Sequence, residues 1–167
     1  MIDIVKENIN SGHKILIFSS FKRILLHVKD LFDVNGITSY MIDGTVKSKE
    51  RMNMVEKFNK DNTNCFLITL KSGGTGLNLT GADTVIHLDI WWNPAVENQA
   101  TDRAHRIGQK NTVNVIKIVT KGTIEEKILE LQNKKKVLSE NLINGMETEI
   151  LSKLEVDDVY KLLSTDK

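Results

Sequence analysis

Five short runs of apolar, β-prone residues recur along the chain, most of them separated from the next by a longer segment with helical spacing. Lys14-Ile-Leu-Ile-Phe18, Thr38 to Ile42, Cys65 to Leu70, Thr84 to Leu88 and Val113 to Val119 read as strands. Near-continuous apolar runs, with little polar alternation, are what strands buried on both faces show. Between them lie helical segments: Ile2 to Asn10 with Gly12 as a stop, Phe21 to Val34 closed by Asn35-Gly36, and a helix capped by Ser48 and reaching Phe58. Leu25, Leu26 and Leu31 are expected on the inner face of the second helix. Met52, Val55 and Phe58 are expected to form the stripe of the third. Strand alternating with helix predicts an α/β fold, a mainly parallel sheet with helices on both faces.

Composition narrows the class. Hydrophobic residues are 40% of the 167, too many for a disordered chain. The formal net charge of +1 excludes a uniformly basic coat, so any contact with nucleic acid must be local. The single cysteine, Cys65, stands in an apolar run and reads as a buried thiol in a reducing compartment. No apolar run approaches membrane-spanning length, and no signal-peptide pattern opens the chain. The expected location is a prokaryotic cytoplasm, or the nucleus where there is one.

Asn93 to Gln109 is the chemically richest stretch. Asn93 can cap a helix, Pro94 fits its first position and Gly108 offers a stop. Gln99, Arg103 and Arg106 then fall at i, i+4 and i+7 on one helical face, with Asp102 beside them. An amide, a carboxylate and two forked cations suit an anion with several oxygens, such as a triphosphate. The same spacing also fits a solvated, salt-bridged face. Lys71-Ser-Gly-Gly-Thr-Gly-Leu-Asn-Leu79 follows a strand directly, and its backbone amides could hold a phosphate or simply make a tight turn. It lacks the Gly-Lys-Ser/Thr ending of a Walker A loop. His87 and His105 have no companion ligands at metal-site spacing, so no metal site is expected. Lys134-Lys-Lys136 could touch DNA or form a solvated face.

The string Gln99-Ala-Thr-Asp-Arg-Ala-His-Arg-Ile-Gly-Gln109 resembles motif VI of the Swi/Snf-type ATPases, the DNA-translocase branch of superfamily-two helicases. Lys71 to Leu79 is similar to motif V of that family, and Lys14 to Phe21 to its motif IV. From about Lys14 to Ile143 the chain looks like the second RecA-like lobe. The resemblance implies that Arg103 and Arg106 are arginine fingers, with Gln99, Asp102 and Gly76 also on the nucleotide. It implies DNA contacts from Ser19, Ser20, Lys71, Ser72, Gly73, Gly74 and Thr75. Trp92, just before Asn93-Pro94, matches a tryptophan that couples ATP turnover to DNA movement. Trp91 is expected in the core, and Asp43 reads as a turn-maker. Asp89 could hold its loop or one of the arginines.

ATP and Mg2+ would be bound mainly by an N-terminal RecA-like lobe, since no Walker A lysine and no magnesium-holding Asp-Glu pair occur here. The expected partners are that lobe and double-stranded DNA, with no membrane. Residues 1–145 read as the lobe, including a long brace helix opened by the capping box Thr123-Ile-Glu-Glu126. Residues 146–167 read as a small helical tail. Alternatives are an RNA helicase lobe and a non-catalytic DNA- or protein-binding module. The Gly108-Gln109 ending and Trp91-Trp92-Asn93-Pro94 argue against the first, and the intact arginine pair against the second.

Overall fold

The computed structural model describes residues 1–73, 76–104 and 111–142. It falls into two compact units, Met1–Ile118 and Val119–Lys167.

The first unit is a five-stranded parallel sheet. Its strands are β1 (Ile15–Ser19), β2 (Ser39–Ile42), β3 (Cys65–Thr69), β4 (Thr84–His87) and β5 (Asn114–Lys117), in the spatial order β2-β3-β1-β4-β5. Ile15 stands opposite both Cys65 and Thr84, and Thr84 opposite Asn114. Central β1, β3 and β4 are buried along their whole length, which is why they read as unbroken apolar runs. Edge strand β5 is half exposed and shorter than the β-branched run Val113 to Val119 predicts.

Alternate residues of each strand feed two cores. Leu16, Phe18, Phe66, Ile68 and Val85 face α3 (Ser48–Lys60), where Val55 and Phe58 meet them, together with Ala100 of α5 (Pro94–Thr101). Ile15, Ile17, Cys65, Leu67 and Ile86 face the other way. There they meet Val5 of α1 (Ile2–Asn10) and Leu25, Val28 and Phe32 of α2 (Lys22–Val34). Helices therefore cover both faces, as the alternation predicts. Burial pushes the Cys65 thiol up to about 12, leaving it an inert core group.

Two helical stripes differ from expectation. In α2 the buried set is Leu25, Val28 and Phe32, while Leu26 and Leu31 are exposed. In α3, Met52 is 68% exposed, and the stripe is Val55 and Phe58 with Met54 partly buried. Ser48 is the first residue of α3, Lys47 holds the cap position, and no side chain caps the helix. Its C-terminal end is tied down instead: Lys14 Nζ reaches the Phe58 and Asp61 carbonyls and lies 4.1 Å above the Phe58 ring. Gly36, at φ +68°, closes α2 in the left-handed region, and Ile37 N–H then donates to Phe32 O at 2.9 Å.

The second unit contains α6 (Ile124–Leu142). Its capping box differs by one residue from the sequence pattern. Thr123 Oγ1 accepts from Glu125 N at 3.3 Å, but the Glu126 carboxylate reaches back to Gly122 N at 2.7 Å. No helix among the described residues is long and apolar enough to cross a membrane.

Candidate nucleotide and nucleic-acid edge

Because the sheet is parallel, the chain leaves every strand at the same edge, where ligands bind in open α/β folds. The loops after β1, β2, β3 and β4 collect there, and they carry most of the residues singled out in the sequence.

After β1 the chain is held by Asp89. Its carboxylate accepts from Ser19 Oγ at 2.5 Å and from Ser20 N at 3.0 and 3.1 Å. Asp89 thus fixes its neighbouring loop, one of the two roles open to it. Ser19 is fully buried, and its hydroxyl also accepts from Phe21 N at 3.0 Å. In this conformation its hydroxyl is engaged inward by Asp89 and the Phe21 amide. Ser20 is only half-buried, though its Oγ is enclosed and has no hydrogen-bond partner.

After β2, Asp43 makes the turn, as expected of it. Its carboxylate accepts from Lys22 Nζ at 2.6 Å and from Thr45 N at 2.7 Å. Arg51 of α3 braces the same loop through Val46 O and Asp43 O. The Lys22 ammonium and the Thr45 donors hold the Asp43 carboxyl at about 2, below its ordinary 3.8. A carboxylate with a depressed pKa stabilises the fold above its unfolded value and loses that contribution as pH falls through its folded value. Asp43→Ala should therefore cost about 2 kcal/mol at pH 7, the scale of a hydrogen bond to a charged group. Thermal melts should show the gap from wild type closing between pH about 4 and about 2. A gap independent of pH would contradict this account of the turn.

After β3 comes a single helical turn, α4 (Leu70–Gly73), where the sequence suggests an open glycine loop. Thr69 Oγ1 donates to Ser72 Oγ at 2.8 Å, and Ser72 is buried. A β-carbon on Gly73 would lie 3.0 Å from the Phe18 ring. Gly73 thus packs tightly on the aromatic core, and both Ser72 and Gly73 are buried in this conformation. Lys71 is exposed. Gly74 and Thr75 lie outside the described residues. Gly76 is exposed at φ +64°, a conformation that strains any L side chain, and nothing crowds it. The chain then returns inward at Leu77 and Leu79. Asn59 brackets this return, donating to Asn78 O at 2.8 Å and accepting from Gly81 N at 2.9 Å.

After β4 come Trp91 and Trp92, 37% and 50% exposed. Trp91 is thus not the core residue expected of it. Asn93 caps α5 as predicted, its Oδ1 accepting from Ala95 N at 3.0 Å. The helix, however, ends at Thr101 and not near Gly108. Arg103 N and Ala104 N bond three residues back, to Ala100 O and Thr101 O, which tightens the chain into turns. Gln99 therefore lies on the helix and Arg103 in the turn after it, not on one continuous helical face as expected. Gln99 and Asp102 are exposed, whereas Arg103 is 5% exposed, with its carbonyl accepting from Leu79 N at 3.0 Å. His105 and Arg106 lie outside the described residues.

A polar cluster under α5 had no counterpart in the sequence reading. Glu97 is 1% exposed; its Oε1 accepts from Trp91 N at 2.6 Å and its Oε2 meets Lys117 Nζ at 2.5 Å. Its sequence signal is positional: Glu97 precedes Ala100 by three residues on α5, so it falls on the helix's buried side. His87 is fully buried nearby, stacked on Phe18 at 5.6 Å, with Nε2 3.2 Å from Thr101 Oγ1. Burial pushes its imidazole below the ordinary 6.5, and Lys117 adds to this while Glu97 and Asp89 oppose it. Among the described residues, no three His, Cys, Asp or Glu side chains cluster as metal ligands.

Comparison with known proteins bears on this edge. The helicase conserved C-terminal domain family matches residues 1–108. An uncharacterised ATP-dependent helicase of Mycoplasma pneumoniae is 45% identical over 159 residues, 95% of this chain and 14% of the relative. The TATA-binding protein-associated factor MOT1 of Saccharomyces cerevisiae is 45% identical over 161 residues, 94% of this chain and 8% of its own length. The CHD3-type chromatin-remodeling factor PICKLE of Arabidopsis thaliana is 38% identical over 152 residues, 90% and 11% of the two chains. The chain thus spans a small fraction of these relatives. The crystal structure of the C-terminal part of the Fun30 ATPase domain superposes with a TM-score of 0.73 at 35% identity, covering 78% of this chain and 44% of that one. The parallel sheet, its RecA-like order and these matches agree: the chain belongs to the helicase conserved C-terminal domain family, in its Swi/Snf-type branch.

Proposed function

We propose that this chain is the second RecA-like lobe of a DNA-stimulated ATPase that translocates on duplex DNA. Arg103 and Arg106 would neutralise charge on the transferring phosphoryl group, with Gln99, Asp102 and Gly76 lining the nucleotide side. Lys71, Gly74 and Thr75 would meet DNA phosphate, joined by Ser20 on the loop after β1. An N-terminal lobe would supply the Walker A lysine, the magnesium carboxylates and most of the ATP contacts.

One observation carries this reading. Leu79 N donates to Arg103 O at 3.0 Å, so the segment leaving the glycine-rich turn is bonded directly to the arginine-bearing turn. A DNA-side element and a phosphate-side element that share a backbone bond can move together. Closing the cleft between lobes on ATP would then shift the DNA contacts, and hydrolysis would release them.

Trp92 tests the coupling. Its ring is half exposed, so Trp92→Ala removes little core contact, and the melting temperature should change little. In the two-lobed protein the substitution should leave much of the ATPase while impairing movement along duplex DNA, measured as triplex displacement per ATP hydrolysed. Parallel loss of both activities with a lowered melting temperature would mark Trp92 as a packing residue instead.

A further inference from the structure

We propose that Glu97 is the positioning residue of the tryptophan segment, holding Trp91-Trp92 in one backbone conformation by accepting a hydrogen bond from Trp91 N, with Lys117 as the partner that lets the carboxylate stay buried. This deepens the proposed function, since it rests on the reading that Trp92 couples hydrolysis to movement.

Trp91 and Trp92 are 37% and 50% exposed, so the core encloses neither residue. Their backbone is fixed instead. Glu97 Oε1 accepts from Trp91 N at 2.6 Å at one end of the segment, and Asn93 caps α5 at the other. A carboxylate that is 1% exposed is costly to bury unless it is paired. Lys117 supplies the pair at 2.5 Å from β5, whose register sets Lys117 opposite His87 of β4. Replacing such a pair by apolar groups is often neutral for stability, so its use lies more in fixing a conformation than in holding the fold. Here the conformation it fixes carries two partly exposed indoles just before α5, the helix that leads into the Arg103 turn.

The chain has two tryptophans, both in this segment, so fluorescence excited at the red edge, where its two tyrosines do not absorb, reports on this segment alone. Two double variants separate the hydrogen bond from the charge. Glu97→Gln with Lys117→Gln keeps an oxygen for Trp91 N–H and an amide partner beside it. Glu97→Leu with Lys117→Met is equally uncharged but offers no acceptor. Circular dichroism checks that both fold. Acrylamide quenching in the Leu/Met variant should rise about twofold over wild type as the segment opens locally, while the Gln/Gln variant stays near wild type. Equal quenching in all three proteins would overturn the positioning role. In the two-lobed protein, DNA moved per ATP should fall in the Leu/Met variant and persist in the Gln/Gln variant. If quenching separates the variants and DNA movement does not, the positioning stands and the coupling role of Trp92 fails.

Discussion

Arg106→Lys in the two-lobed protein lowers kcat for ATP at least about a hundredfold, given that arginine fingers contribute roughly a thousand- to a hundred-thousand-fold in other phosphoryl-transfer enzymes. The planar guanidinium can hold two phosphoryl oxygens at once and stays protonated, whereas lysine keeps the charge and loses the fork. A hundredfold is about 2.7 kcal/mol of barrier, within what one lost bidentate contact supplies. DNA binding and melting temperature should stay near wild type. Near-normal turnover, or an unfolded variant, would make the Arg106 assignment wrong. Arg103 is expected to behave differently on one count. It is 5% exposed, so Arg103→Ala should lower the melting temperature as well as turnover.

Phe66→Ala destabilises the 167-residue chain by about 3–5 kcal/mol, measured by denaturant unfolding. Phe66 is fully buried on β3, between β1 and β2. Its ring meets Phe58 of α3 at 5.1 Å and Tyr40 of β2 at 5.8 Å, so truncation opens a cavity where strands and helix converge. Against a typical stability of about 5–15 kcal/mol, that loss leaves a substantial unfolded fraction in a marginal domain. Met52→Ala, one turn from the α3 stripe and 68% exposed, should stay within about 0.5 kcal/mol of wild type. A loss below about 1 kcal/mol for Phe66→Ala would contradict the two-faced core.

The sheet was legible because burial on both faces leaves an unbroken apolar signature, as in Ile15 to Phe18 and Cys65 to Ile68. Helix faces were harder to read. Leucine identity drew attention to Leu26 and Leu31, although Leu25, Val28 and Phe32 stand at the better spacing. In α5, 3.6-residue periodicity was extended to Arg106, but the chain tightens to three-residue bonds at Arg103, which no local composition announces. That Gly73 packs on Phe18 was not legible either, because the contact is long-range. Glu97 went unseen for the same reason: its partner Lys117 is 20 residues away on another strand. The literal string from Gln99 to Gln109 carried the family, and the family match over residues 1–108 agrees with it.

The central claim is that this chain supplies half of a composite ATP site. Steady-state ATP hydrolysis by purified residues 1–167, measured with and without duplex DNA and beside the two-lobed protein, tests it most directly. The account predicts negligible turnover by the chain alone under both conditions, and DNA-stimulated turnover once the N-terminal lobe is joined to it. Robust DNA-stimulated hydrolysis by residues 1–167 alone would contradict it.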